Sequence, residues 1–120
     1  MERIDFDAHN EEQAEVWRAY RAGRPIRVPM VLGISAQWTL SMPDANRSGI
    51  SFGQYMRDPV AMLRHRLEAD WWIRHRVVFD HEMGLPPAWV VSVDGQNIFE
   101  AGWLGARVVS RDGEPPTAVP

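Results

Sequence analysis

The chain has no cysteine and no lysine. Without cysteine it forms no disulfide, thiolate zinc site or cysteine nucleophile of its own. All 13 basic residues are arginine, scattered among 16 acidic ones, and the net charge is −3. A nucleic-acid-binding domain concentrates positive charge on one face, so nucleic acid is not an expected partner. No apolar run approaches the length that crosses a bilayer. The opening, MERIDFDAHNEEQ, is charged and lacks the apolar core of a secretory signal. These absences point to a cytoplasmic protein with no membrane partner. What remains is ordinary: 120 residues, 45% hydrophobic and 24% charged, enough for one domain with a core.

HNEEQAEVWRAYRAGRP reads as a helix. Asn10 is placed to cap it, Gln13 to complete a capping box, and Gly23 with Pro25 to end it. IRVPMVLGI reads as a strand from Pro29 to Gly33, because proline is tolerated as a strand's first residue. SAQWTLSMPDANRSG is a long loop with at most one helical turn. A short capped helix is expected from Ser51 to about Arg57. Asp58 and Pro59 then open the strongest helix, with Val60, Leu63, Leu67 and Trp71 on its buried face. After DHEMGLPP, the almost wholly apolar AWVVSV reads as a strand buried on both faces. FEAGWLG is a short helical or extended piece and Ala106–Ser110 a further strand. Asp112-Gly113 is a turn signal, and the Pro-rich end has no partner of its own. Two parallel strands joined through a helix make a right-handed βαβ unit.

Asp94, directly after the strand Trp89–Val93, admits two readings. Asp-Gly between apolar segments is a hairpin signal, with Gln96–Glu100 as the return strand. Alternatively, a carboxylate at the end of a buried strand is rigidly held and partly desolvated, which suits proton transfer or cation binding. Residue pattern alone does not separate the two.

From Ile26 to its end the chain resembles the N-terminal part of the uroporphyrinogen decarboxylase superfamily, which includes corrinoid-dependent, zinc-containing methyltransferases. The resemblance is carried by order and spacing: RVPMVLGI, then SFGQYMRDPVAMLRHRL, then a buried strand ending in Asp94, then FEAGWLGARV and DGEPPTAVP. DHEMGLP and VDGQN are similar to motifs of one branch of the superfamily. The resemblance implies an α/β fold, the N-terminal portion of a TIM (β/α)8 barrel. Residues 1–25 would be an N-terminal helical segment and residues 26–120 the first βα units. It implies cofactor-free decarboxylation of a pyrrole acetate, with Asp94 as the catalytic carboxylate that stabilises the protonated pyrrole. Gln96, Asn97 and Glu100 after it, and Trp38 after the first strand, are candidate substrate contacts. LGISAQW lacks the arginine with which the decarboxylases grip substrate carboxylates. The methyltransferase alternative would need zinc or a corrinoid, with ligands outside these residues. A complete barrel takes about 250 residues, so the chain alone is expected to be inactive. Its uncovered strand edges would call for a second chain or a homo-oligomer; a non-catalytic module that completes a fold is the third alternative.

No metal site is expected. HEMGL, with His81 and Glu82, lacks the second histidine of a zinc-protease helix, so Asp80, His81 and Glu82 read as a hydrogen-bonded loop. His65 and His75 read as solvated, and Trp71 and Trp72 as packing residues. Capping of the next element is the competing role for Gln96, Asn97 and Glu100.

Overall fold

A computed structural model of the protein describes residues 4–92, 98–109, 111, 114 and 117–120. Helix dominates them: α1 (Phe6–Arg21), α2 (Ala36–Ser41), α3 (Phe52–Arg57), α4 (Pro59–Arg76) and α5 (Ile98–Trp103) precede two short strands, β1 (Arg107–Val109) and β2 (Thr117–Val119). The strands form an antiparallel pair with Val108 opposite Ala118. The chain divides into two compact units, one of Met1–Gly33 with Asp70–Ala88, the other of Ile34–Ala69 with Trp89–Pro120.

The first unit is built on α1. Asp5 caps it by accepting from the Ala8 N–H at 3.1 Å, one turn before the cap expected from the sequence. Asn10 lies inside the helix instead, and its carboxamide pairs with both backbone groups of Met83. Nδ2 donates to the Met83 carbonyl (3.1 Å) and Oδ1 accepts from the Met83 N–H (2.8 Å). The C-terminus ends as expected. Gly23 takes φ 71°, its N–H reaches the Tyr20 carbonyl and that of Arg24 the Ala19 carbonyl, the pattern that satisfies a helix's last acceptors. The end of α4 joins this unit through Arg74, whose carbonyl accepts from Gly84 N–H (2.9 Å) and whose Nε donates to the Gly84 carbonyl (2.6 Å).

In the second unit α2, α3 and the first part of α4 surround a core of Ala36, Ile50 and Tyr55, backed by Leu40, Met56, Ala61 and Met62. Ser51 and Gln54 close a reciprocal capping box on α3. Asp58 accepts the Val60 N–H at 2.8 Å where α4 begins. Asn46 holds the preceding loop, donating to the Leu40 and Ile50 carbonyls and accepting from the Ile50 N–H, each at 2.9 Å. α5 packs on both strands. It ends in a second left-handed glycine, Gly105 (φ 97°), with the Ala106 N–H returned to the Ala101 carbonyl.

Several expectations are overturned. No TIM-barrel strand pattern and no parallel βαβ unit exists among the described residues; the sheet there is the β1–β2 pair. Pro29–Gly33 is not a strand, because Met30 exchanges its backbone hydrogen bonds with Asp80 rather than with a neighbouring strand. Trp89–Ser92 is irregular and its backbone makes no hydrogen bond to other described residues. An apolar run has strand propensity, but a strand exists only where another supplies its ladder. Of the alternative return strand Gln96–Glu100, residues Ile98–Glu100 are helical as the start of α5, and Gln96 and Asn97 lie outside the described residues. On α4 the buried residues are His65 and Ala69, while Val60 and Leu63 are exposed. The end of the chain does have a partner, because Thr117–Val119 pairs with β1.

Gly84 (φ 81°) and Gly23 separate two costs of a side chain. Both need the left-handed conformation, but a Cβ at Gly84 would sit 3.2 Å from Phe6 Cδ2 whereas at Gly23 nothing lies within 4 Å. Gly23→Ala is expected to cost about 1–2 kcal/mol from conformation alone, and Gly84→Ala more, as read from urea unfolding midpoints.

Candidate functional site

The densest set of polar contacts in the first unit converges on Asp80, one of the loop residues noted in the sequence. Its residue is 5% exposed, and every polar group it has is engaged. The carboxylate accepts from Arg27 Nη1 and Nη2, both at 2.5 Å, and from the Met30 N–H at 2.7 Å. Its own N–H donates to the Met30 carbonyl (3.0 Å) and its carbonyl accepts from Trp17 Nε1 (2.7 Å). The Arg27 hydrogen bonds and the Met30 N–H hold the carboxyl below the ordinary carboxylate range, against burial, which pushes it up. The pairing raises Arg27 in turn. Glu12 on α1 stands 3.8 Å from Arg27 Nη2.

Beside this pair lies a cleft of about 240 Å³ whose walls include His9, Glu12 and Gln13 from α1 and Met30, Val78 and Phe79 from the flanking segments. His9, Glu12 and Gln13 share a helix face by their i, i+3, i+4 spacing. His9 Nε2 donates to the His81 carbonyl at 3.1 Å. The His81 ring is pushed below its ordinary value, first by burial and then by Arg74 and His9, and its Nε2 is buried without a hydrogen-bond partner. His81 and Glu82 therefore lie in a hydrogen-bonded loop, Glu82 3.7 Å from Arg74 Nη2. Among the described residues no three of His, Cys, Asp and Glu are grouped as metal ligands.

The second unit contains a buried titratable group that the sequence had placed in solvent. His65 is fully buried. The Thr39 hydroxyl donates to the Ala36 carbonyl (3.2 Å), so its oxygen accepts from His65 Nε2 at 2.9 Å. The ring meets Tyr55 edge-on at 5.5 Å, and Nδ1 is buried with no hydrogen-bond partner. Protonation would add a charge and a donor with nothing to receive it. Burial accordingly lowers the His65 value, Arg66 assists, and Glu68 opposes.

Of the residues singled out from the sequence, Asp94, Gln96 and Asn97 lie outside the described residues. Glu100 is exposed on α5. Trp38 is on α2 and 69% exposed. Neither of those two side chains makes a hydrogen bond, ion pair or ring contact with a described residue. Asp80 was legible only as a loop acid, since its partners Trp17, Arg27 and Met30 are 50 to 63 residues away in sequence. His65 was missed because arginines flank it on α4. No protein-family model, no curated protein and no solved structure matches the chain. No helix among the described residues is long and apolar enough to cross a membrane.

Asp80→Ala should lower stability by about 2–3 kcal/mol. That is below the usual figure for breaking a buried pair, because Arg27 is half-exposed. Asp80→Asn, which keeps the shape and loses the charge, should recover little of it in urea unfolding. His65 and His81 are both depressed, so the stability they contribute is complete above the unfolded imidazole value of about 6.5. It is lost as pH falls through their folded values, because the unfolded chain takes up protons first. The unfolding midpoint should fall from pH 7.5 to 5, less steeply in His65→Gln, and an unchanged slope would contradict the assignment.

Proposed function

We propose that the chain is a module without catalytic activity of its own, which works by docking extended apolar segments onto the sheet edge of a second polypeptide. One observation carries this reading: in the stretch 26–32, Ile26, Val28, Met30, Val31 and Leu32 are each more than half exposed. The backbone groups of residues 31–33 make no hydrogen bond to described residues, so this stretch offers both an apolar surface and open ladder positions. Trp89, Val90 and Val91 repeat the combination, Val90 at 86% exposure. Covering five aliphatic or thioether side chains is worth on the order of 10 kcal/mol at most. That is comparable to the cost of immobilising a partner, so docking is favourable only where the backbone is paired as well.

The resemblance to uroporphyrinogen decarboxylases supplies the chemistry such pairing would serve. On that reading Asp94 contributes a carboxylate toward a pyrrole acetate, with Gln96, Asn97, Glu100 and Trp38 as contacts to the small-molecule substrate, in the cytoplasm. The stretch Leu32–Trp38 contains no arginine to hold an anionic porphyrinogen, which favours a smaller or less charged substrate.

The purified chain should release no product from porphyrinogens. It should self-associate with rising concentration in sedimentation velocity, a second copy being the partner at hand. Val31→Asp with Leu32→Asp should keep it monomeric. Turnover by the 120-residue chain, or a strict monomer with slowly exchanging amides at 31–33, would refute the proposal.

A further inference from the structure

The cleft beside Asp80 carries a separate reading, which does not depend on the docking proposal. We infer that it is a binding site for a small organic cation, an ammonium group on a short apolar body. Three observations converge on this class. The first is charge. The Asp80 and Glu12 carboxylates both face the single guanidinium of Arg27, and the carboxylate of Asp80 is used up by three N–H donors. One negative charge is therefore left over, and Glu12, whose nearest cationic atom is 3.8 Å away, carries it.

The second is a side-chain amide that opens onto the cleft, where its polar atoms remain accessible. Gln13 is only 8% exposed and lines the cleft, yet its carboxamide has no hydrogen-bond partner among the described residues. Its oxygen can accept from an ammonium, as can the Glu12 carboxylate one residue before it. The third is the opposite wall, where Met30, Val78 and Phe79 present apolar surface. Met30 and Val78 are both more than half exposed and so gain from being covered. The cleft's volume of about 240 Å³ lies below the range of drug-sized pockets. An arylalkylamine with one ring is of the right size, whereas a nucleotide is not.

Benzylammonium chloride is the probe, titrated into the ¹⁵N-labelled full chain, with benzyl alcohol and sodium benzoate as its neutral and anionic counterparts. Saturable shifts are expected on the amides of α1 and on the Gln13 side-chain NH2, with benzyl alcohol weaker and benzoate not binding. Glu12→Gln changes an exposed side chain and leaves the fold intact. It should weaken benzylammonium binding about fivefold, the loss that accompanies one charge-assisted contact. Gln13→Leu, similar in volume, should weaken it as well. Shifts that do not saturate, equal affinity for benzyl alcohol or benzoate, or unchanged affinity in Glu12→Gln would each overturn the assignment.

Discussion

Asp80 is the constraint on which the first unit depends. A buried carboxylate is unfavourable unless its charge is met by donors of good geometry, and here three N–H groups meet it. Those donors come from the stretch after α1, so satisfying one side chain fixes the course of residues 27–30. The same residue's carbonyl fastens Trp17 on α1. One acid thus ties together α1, the segment that leaves it and the segment that follows α4. The hydrogen bonds Asn10–Met83, His9–His81 and Arg74–Gly84 are then short-range consequences, each joining groups already brought near.

What was legible in the sequence was local. The strand expected at Ala106–Ser110 is found at Arg107–Val109, where β2 supplies its ladder; Gly23 at the end of α1, the Ser51 cap of α3 and the Asp58-Pro59 start of α4 all depend on signals within a few residues. They appear where local rules put them. The N-terminus of α1 shows the limit of such rules. Asp5 and Asn10 are both good caps by type, and the choice between them was made by Met83, 73 residues from Asn10. Once the Asn10 carboxamide is committed there, it is unavailable as a cap, and the helix extends back to Asp5.

The misread elements share a cause. The apolar runs at 29–33 and 89–93 were read as strands on composition, yet a strand is a property of two segments. Neither run finds a ladder among the described residues. On α4 the apolar residues are spread around the whole helix, so a stripe through Val60, Leu63 and Leu67 was one of several that could be drawn. The face that is buried carries His65 and Ala69. On that face the His65 imidazole finds Thr39 and the edge of Tyr55. As for the candidate site, Trp38 and Glu100 stand exposed, with no side-chain hydrogen bond, ion pair or ring contact to a described residue. The polar cluster that did form was assembled from residues the sequence showed only as loop and helix-surface charges.

Met30 links the two readings of the first unit. Both of its backbone groups are held by Asp80, so a partner sheet cannot take Met30 into a regular ladder without displacing a carboxylate that would then be buried and underpaired. Under the docking proposal pairing would start at Val31, whose backbone is open, since Pro29 has no N–H to extend it backward. The Met30 side chain, in contrast, stays exposed along the cleft wall. The Asp80 contacts mark where the segment stops making hydrogen bonds within its own unit. A chain that closed Asp80 onto Arg27 alone would leave that boundary undefined, and the Met30 N–H would compete for the same ladder as its neighbours.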